Sequence, residues 1–215
     1  MKIAVKHFID SANANSVPAN PNRISVIKFA GKMNASVGND TYDEGSNTYN
    51  YSQIVADLTD LSTTNAETLK ATVGALTEGG ATQANFGMQH AQTVLSKTDS
   101  SRKKVVIMFT DGDPTSQKYF EADVANSAIG TAKALKDQNT TIYTVGCFDS
   151  KPEDSSDKGK FMNYVSSNYP DATSLTVGGK KVEDAKYYSV ATTGSELTDI
   201  FETISQETGG ATYTL

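Results

Sequence analysis

An α/β fold with a mostly parallel sheet is what this sequence predicts, on three observations. Residues 105–109, Val-Val-Ile-Met-Phe, form an apolar run without polar alternation, the pattern of a strand buried on both faces. Further strand-like stretches at residues 24–29, 140–148 and 187–190 alternate with stretches of helical period, which calls for a layered α/β architecture. The 105–109 run ends in Thr110-Asp111-Gly112-Asp113, so a carboxylate stands at the carboxyl end of a buried strand, where ligands of such sheets gather.

The elements follow in order. Val5, Phe8, Ile9 and Ala12 share one face of an opening helix. Pro18, Asn20, Pro21 and Asn22 end it in a loop. A strand is expected at 24–29, then a Gly/Asn/Asp/Tyr-rich hairpin loop at 38–51 leading to an exposed edge strand at 51–58. Thr64 and Glu67 have the spacing of a capping box opening a helix to about residue 76. A glycine-bearing loop at 78–82 precedes a helix whose inner face is Ala84, Met88, Ala91 and Leu95. After the strand at 105–109 comes a long helix with Val124, Ala128, Ile129, Ala132 and Leu135 inward. The strand at 140–148 leads to a polar loop at 149–160, a short helix starting at 161–164, a small hairpin at 175–180 and a last core strand at 187–190. Leu197, Ile200, Phe201 and Ile204 mark the final helix, capped by Thr193 or Ser195 and stopped by Gly209-Gly210. The division is one domain over residues 1–208, with 209–215 a C-terminal linker or extra strand.

One feature of this series is unusual. It opens on a helix, whereas right-handed β-α-β crossovers require a strand before the first helix. The gap left in the sheet is one that residues 211–215, from this chain or a neighbouring copy, can fill by strand addition, so strand exchange with another chain is an expected mode of association.

Composition excludes several partners. With 215 residues the chain can bury a sizeable core. A net charge of −6 and a pI near 4.9 argue against nucleic acid or an anionic membrane surface. Nothing approaches the apolar length of a membrane span. Lys2, Lys6, His7 and Asp10 interrupt the first twelve residues, so no signal peptide is expected there. Cys147 is the single cysteine, read as a buried structural thiol. His7 and His90 read as surface or boundary residues. No Ser-His-Asp or Cys-His set and no Gly-x-Ser-x-Gly elbow is evident, nor is a phosphate loop. The expectation is a non-enzymatic protein.

The combination of residues 7–10, 22–29, 79–88, 105–114, 142–146 and 187–204, in this order and spacing, resembles the von Willebrand factor type A, or integrin I-type, domain. Its texture is also similar to Gram-positive surface adhesins and pilus-tip proteins. The resemblance implies a Rossmann-like, doubly wound, mostly parallel sheet with helices on both faces. It also implies a metal-ion-dependent adhesion site (MIDAS) on the carboxyl rim, built from Asp-x-Ser-x-Ser after the first strand, a Thr from a glycine-bearing loop, and an Asp after the fourth strand. The matching residues are Thr82 and Asp111, as metal and ligand-binding positions; the Asp-x-Ser-x-Ser segment is expected before Met1. Asp99-Ser100-Ser101 and Asp154-Ser155-Ser156 neither continue the motif nor follow a buried strand. The implied cofactor is Mg²⁺, with Mn²⁺ or Ca²⁺ as substitutes. Mg²⁺ takes six oxygens in near-octahedral geometry, so Thr82 and Asp111 alone predict weak or absent metal binding unless the other segment is supplied in trans.

The bland alternatives are definite. Asp111 also suits a strand-end Asp-Gly turn, and Thr82 suits a helix N-cap. Asp113 and Thr115 read as loop or capping residues, and the acidic loop of Asp149, Glu153, Asp154 and Asp157 as a solvated one. The functional expectation is an adhesion module of an extracellular bacterial surface protein, taking a protein or extracellular-matrix ligand at the rim. The alternatives are an intracellular type A scaffold partnering an ATPase, and an enzyme on a flavodoxin- or Rossmann-like sheet. A secretion signal and wall anchor in the longer context favour the first, and an adjacent ATPase gene the second.

Overall fold

A computed structural model describes residues 1–99, 101–208 and 211–215. Its centre is a seven-stranded sheet of order β2-β5-β1-β9-β6-β7-β8. The strands are β1 (Arg23–Lys28), β2 (Met33–Val37), β5 (Ser52–Asp60), β6 (Lys103–Thr110), β7 (Thr140–Cys147), β8 (Tyr188–Ala191) and β9 (Ala211–Thr214). A separate hairpin joins β3 (Thr41–Glu44) to β4 (Asn47–Asn50). All neighbouring pairs in the main sheet are parallel except β1 with β5. The expected doubly wound, mostly parallel α/β sheet is what the chain forms.

The apolar run in β6 explains the layering. Successive strand residues face opposite sides, so Val105 and Ile107 join one core and Val106 and Met108 the other. The first core takes α1 (Lys2–Ala14), α2 (Thr63–Ala75) and α6 (Gly194–Glu207), through Phe8, Ile9, Leu69, Val73 and Phe201. The second takes α3 (Ala84–Ser96), α4 (Ala122–Lys136) and α5 (Asp157–Val165), through Met88, Leu95, Ile129, Leu135 and Phe161. A strand flanked by helices on both faces must be apolar throughout, as β6 is.

β9 occupies the middle of the sheet. It runs parallel to β1 on one side, Ile24 opposite Tyr213, and parallel to β6 on the other, Val105 opposite Tyr213. The gap inferred from the helix-first element order is therefore occupied by this chain's own residues 211–214. Tyr213 is fully buried. Its ring lies edge-on to Phe8 at 5.1 Å, and its hydroxyl donates to the Thr208 carbonyl at 2.8 Å.

Several local expectations are corrected. β5, expected as an exposed edge, lies between β2 and β1, and the edge on that side is β2; Tyr42 packs against both Tyr49 and Tyr51. β8, expected as a core strand, is the other edge. α2 opens one residue before Thr64, with the Ser62 hydroxyl accepting from the Asn65 N–H, so Thr64 and Glu67 form no capping box. α5 starts at Asp157 because Ser156 caps it through the Gly159 N–H. Residues 175–180 form no hairpin; a single bridge joins Ser174 and Val177. The final helix follows the predicted device, with Thr193 and Glu196 making the capping box. Its expected Gly209-Gly210 stop lies outside the described residues.

Candidate functional site

Because β1, β9 and β6 run in one direction, their carboxyl ends share a rim. The 78–83 loop crosses it. Gly79 and Gly80 adopt φ of +139° and +117°, backbone space that only glycine enters readily. The Gly79 carbonyl is held by the Asn50 backbone N–H at 3.2 Å and by Asn50 Nδ2 at 3.1 Å. This loop delivers Thr82 to the loop after β6. Thr82 and Thr115 exchange both backbone hydrogen bonds, each 3.0 Å.

The turn after β6 is equally fixed. Thr110 Oγ1 accepts from the Gly112 N–H at 3.2 Å and donates to the Gly112 carbonyl at 3.1 Å. A Cβ at Gly112 would lie 3.0 Å from Thr82 Oγ1, so the absence of a side chain lets the two loops touch. Asp111, at the apex, is exposed. Thr82 and Asp111 thus line one cleft of about 860 Å³. The structure brings together the two residues named from sequence. Thr82 is not the helix cap: that position is Gln83, which makes no side-chain cap bond.

The neighbours divide into held and free groups. Asp113 Oδ1 is 2.8 Å from Lys158 Nζ, which also lies 4.7 Å from the Phe148 ring centre. Sequence reasoning missed Glu121. Its Oε1 accepts from Thr115 Oγ1 at 3.1 Å, the Ser116 N–H at 3.0 Å and Ser116 Oγ at 2.8 Å. These bonds, the Ser116 hydroxyl first, hold the Glu121 carboxyl below the usual range. The only sequence signal was an acid just before a helix. Cys147 is half-buried rather than buried; burial pushes its thiol pKa up and the Asp111 charge adds to this, which keeps it protonated and a poor nucleophile. His90, expected near the surface, is buried, with Nε2 3.0 Å from the Ser52 carbonyl.

As a cation site the rim is partial. Thr82 offers a neutral oxygen and Asp111 an anionic one, against the six of a hard divalent ion. Asp113 is paired, and Thr110 is tied to Gly112. Among the described residues no group of three or more His, Cys, Asp or Glu converges. The residues present do not by themselves fit a resident metal.

The sequence matches the von Willebrand factor type A domain family over residues 1–203, and the chain belongs to that family. No curated protein matches it. Among solved structures, it resembles a von Willebrand factor type A protein from Catenulispora acidiphila (14% identity, TM-score 0.58, covering 96% of this chain and 38% of that one). It also resembles the pilus adhesin SpaC from Lactobacillus rhamnosus GG (15% identity, TM-score 0.62, 96% and 27%). A third is the conserved hypothetical protein BatB from Bacteroides thetaiotaomicron (12% identity, TM-score 0.51, 95% and 85%). At these identities the likeness is one of fold, and the chain spans less than two fifths of the first two structures.

Proposed function

We propose that this chain is a non-enzymatic protein-binding domain of an extracellular bacterial surface protein, taking a protein or matrix ligand at the rim formed by Thr82 and Asp111. The observation that carries this reading is their convergence at the mouth of one cleft on the carboxyl edge of the sheet, the place where ligands of open α/β sheets bind. The exposure of Asp111, whose carboxylate has no hydrogen bond or ion pair among the described residues, supports it, as does the fold shared with a pilus adhesin. No helix among the described residues is long and apolar enough to cross a membrane. A divalent cation joins such a site when further oxygens come from another segment or from the ligand.

The test is adhesion of the immobilised domain to a panel of extracellular-matrix proteins, with and without Mg²⁺. The expected result is saturable binding to at least one, weakened about tenfold or more by Asp111→Ala, the loss of one charged contact, and less by Thr82→Ala. Binding unchanged in both variants would remove the rim from the interaction.

A further inference from the structure

Strand alternation divides the basic run Arg102-Lys103-Lys104 between the two faces of the sheet. Lys103 Nζ donates to the Glu207 carbonyl at the end of α6, at 3.0 Å. Arg102 and Lys104 share the other face, on which Val106 and Met108 enter the second core. In sequence such a run suits a solvated loop, yet both residues are half-buried. With Gln138 and Asn139 they wall a cavity of about 300 Å³ at the amino ends of β6 and β7, the opposite end of β6 from Asp111.

The charges in this wall are one-sided. Among the described residues it holds two cations and no carboxylate. Arg102 uses Nη1 to donate to the Pro21 carbonyl at 2.9 Å, which leaves most of its guanidinium donors free. Lys104 makes no ion pair or side-chain hydrogen bond among the described residues. Other partly buried cations of the chain do meet a carboxylate: Arg23 with Asp60, Lys70 with Asp10 and Glu67, and Lys158 with Asp113. The acids closest in sequence do not serve the cavity, since Asp99 is exposed and Asp137 is held by Lys133. The C-terminus of α4 brings negative potential to this end of the sheet, which Lys133 and Lys136 in its last turn offset. Partial burial of unpaired charge is costly, and two like charges on one wall repel.

Neutral donors complete the surround. Just past α4, Asn139 takes φ of +59°, a left-handed turn that suits a helix end. The side-chain amides of Gln138 and Asn139 make no hydrogen bond among the described residues. Thr140 lies opposite Lys104 in the β6–β7 register. Its side chain shares the face of Ile142, which enters the second core. The Thr140 hydroxyl is buried and has no hydrogen-bond partner.

We infer that this cavity is an oxyanion site, taking a phosphate or carboxylate group of a small ligand. The Arg102 guanidinium offers a planar fork of donors that matches either group, and Lys104 adds a point charge. Gln138 and Asn139 supply neutral N–H donors at the mouth. A volume of about 300 Å³ is at the lower bound of small-molecule pockets, which suits a small organic acid or phosphate rather than a polymer. The site is separate from the rim formed by Thr82 and Asp111 and does not depend on what binds there.

The test is a ¹⁵N NMR titration of the chain with inorganic phosphate and, separately, with succinate, each against sodium chloride of equal ionic strength. The side-chain signals of Arg102 Nε, Gln138 and Asn139 are expected to shift saturably, with a dissociation constant of about 1 mM or tighter for at least one probe. Tighter binding of phosphate assigns a phosphorylated ligand; tighter binding of succinate assigns a carboxylic acid. Arg102→Gln with Lys104→Gln should weaken binding about tenfold or more, whereas Asp111→Ala should leave it unchanged. The thermal midpoint of the wild-type chain should also rise with the tighter probe and not with chloride. Shifts no larger than those in chloride, or binding weaker than about 10 mM for both probes, would overturn the inference. Undiminished binding in a folded double variant would do the same, and if that variant does not fold, the wild-type titration decides alone.

Discussion

Thr82 and Asp111 set what the rim can do one residue at a time. A threonine hydroxyl and a single carboxylate attract a divalent ion but leave most of its coordination to water. Calorimetric titration of the chain with Mg²⁺ is therefore expected to give a dissociation constant weaker than about 1 mM. Micromolar binding would contradict this, and if it survived Asp111→Ala it would remove Asp111 from the site. Asp111 was readable because an apolar strand ends abruptly before it, whereas Thr82 was readable only through the resemblance to the type A domain, its own local pattern suiting a helix cap. Lys136 was not readable. A lysine near a helix end suggests a solvated side chain, yet Lys136 Nζ donates to the Tyr164, Ser166 and Tyr169 carbonyls, and burial pushes its pKa down to about 8.

Two elements carry the next scale. β9 is anchored by Tyr213, so Tyr213→Ala removes a fully buried ring from the first core and should cost about 3–5 kcal/mol in chemical denaturation. Tyr213→Phe, which leaves the Thr208 carbonyl without its donor, should cost about 1–2 kcal/mol. The 111–121 loop depends on Glu121, whose carboxyl titrates low because the Ser116 and Thr115 groups bond its charged form. A carboxylate with a depressed folded pKa stabilises above its unfolded pKa and loses that contribution as pH falls through the folded value. An NMR pH titration should place the Glu121 midpoint below 4.5, the unperturbed value, with the Thr115 and Ser116 amides shifting at the same midpoint. A midpoint at or above that value would mean the loop is not held this way. Element type was legible wherever periodicity was strong, as in α1, α3, α4 and α6. It failed where a neighbour decided the outcome. Whether β5 or β8 is an edge depends on pairing with β2 and β7, which no local pattern encodes.

At the scale of the molecule, the helix-first order of elements implied a gap in the sheet. What sequence could not settle was which chain fills it, because residues 211–215 look alike as a linker or a strand. The structure places them in the centre, where they tie the two halves of the sheet together. The central claim is thus a rim site carried by a sheet whose centre this chain's own β9 completes. Hydrogen exchange by NMR on the chain, with its mass measured by light scattering, tests it most directly. The account predicts a monomer in which the Tyr213, Thr214 and Leu215 amides exchange only through global opening. Rapid exchange across residues 213–215, or protection there that appears only in a dimer, would contradict it.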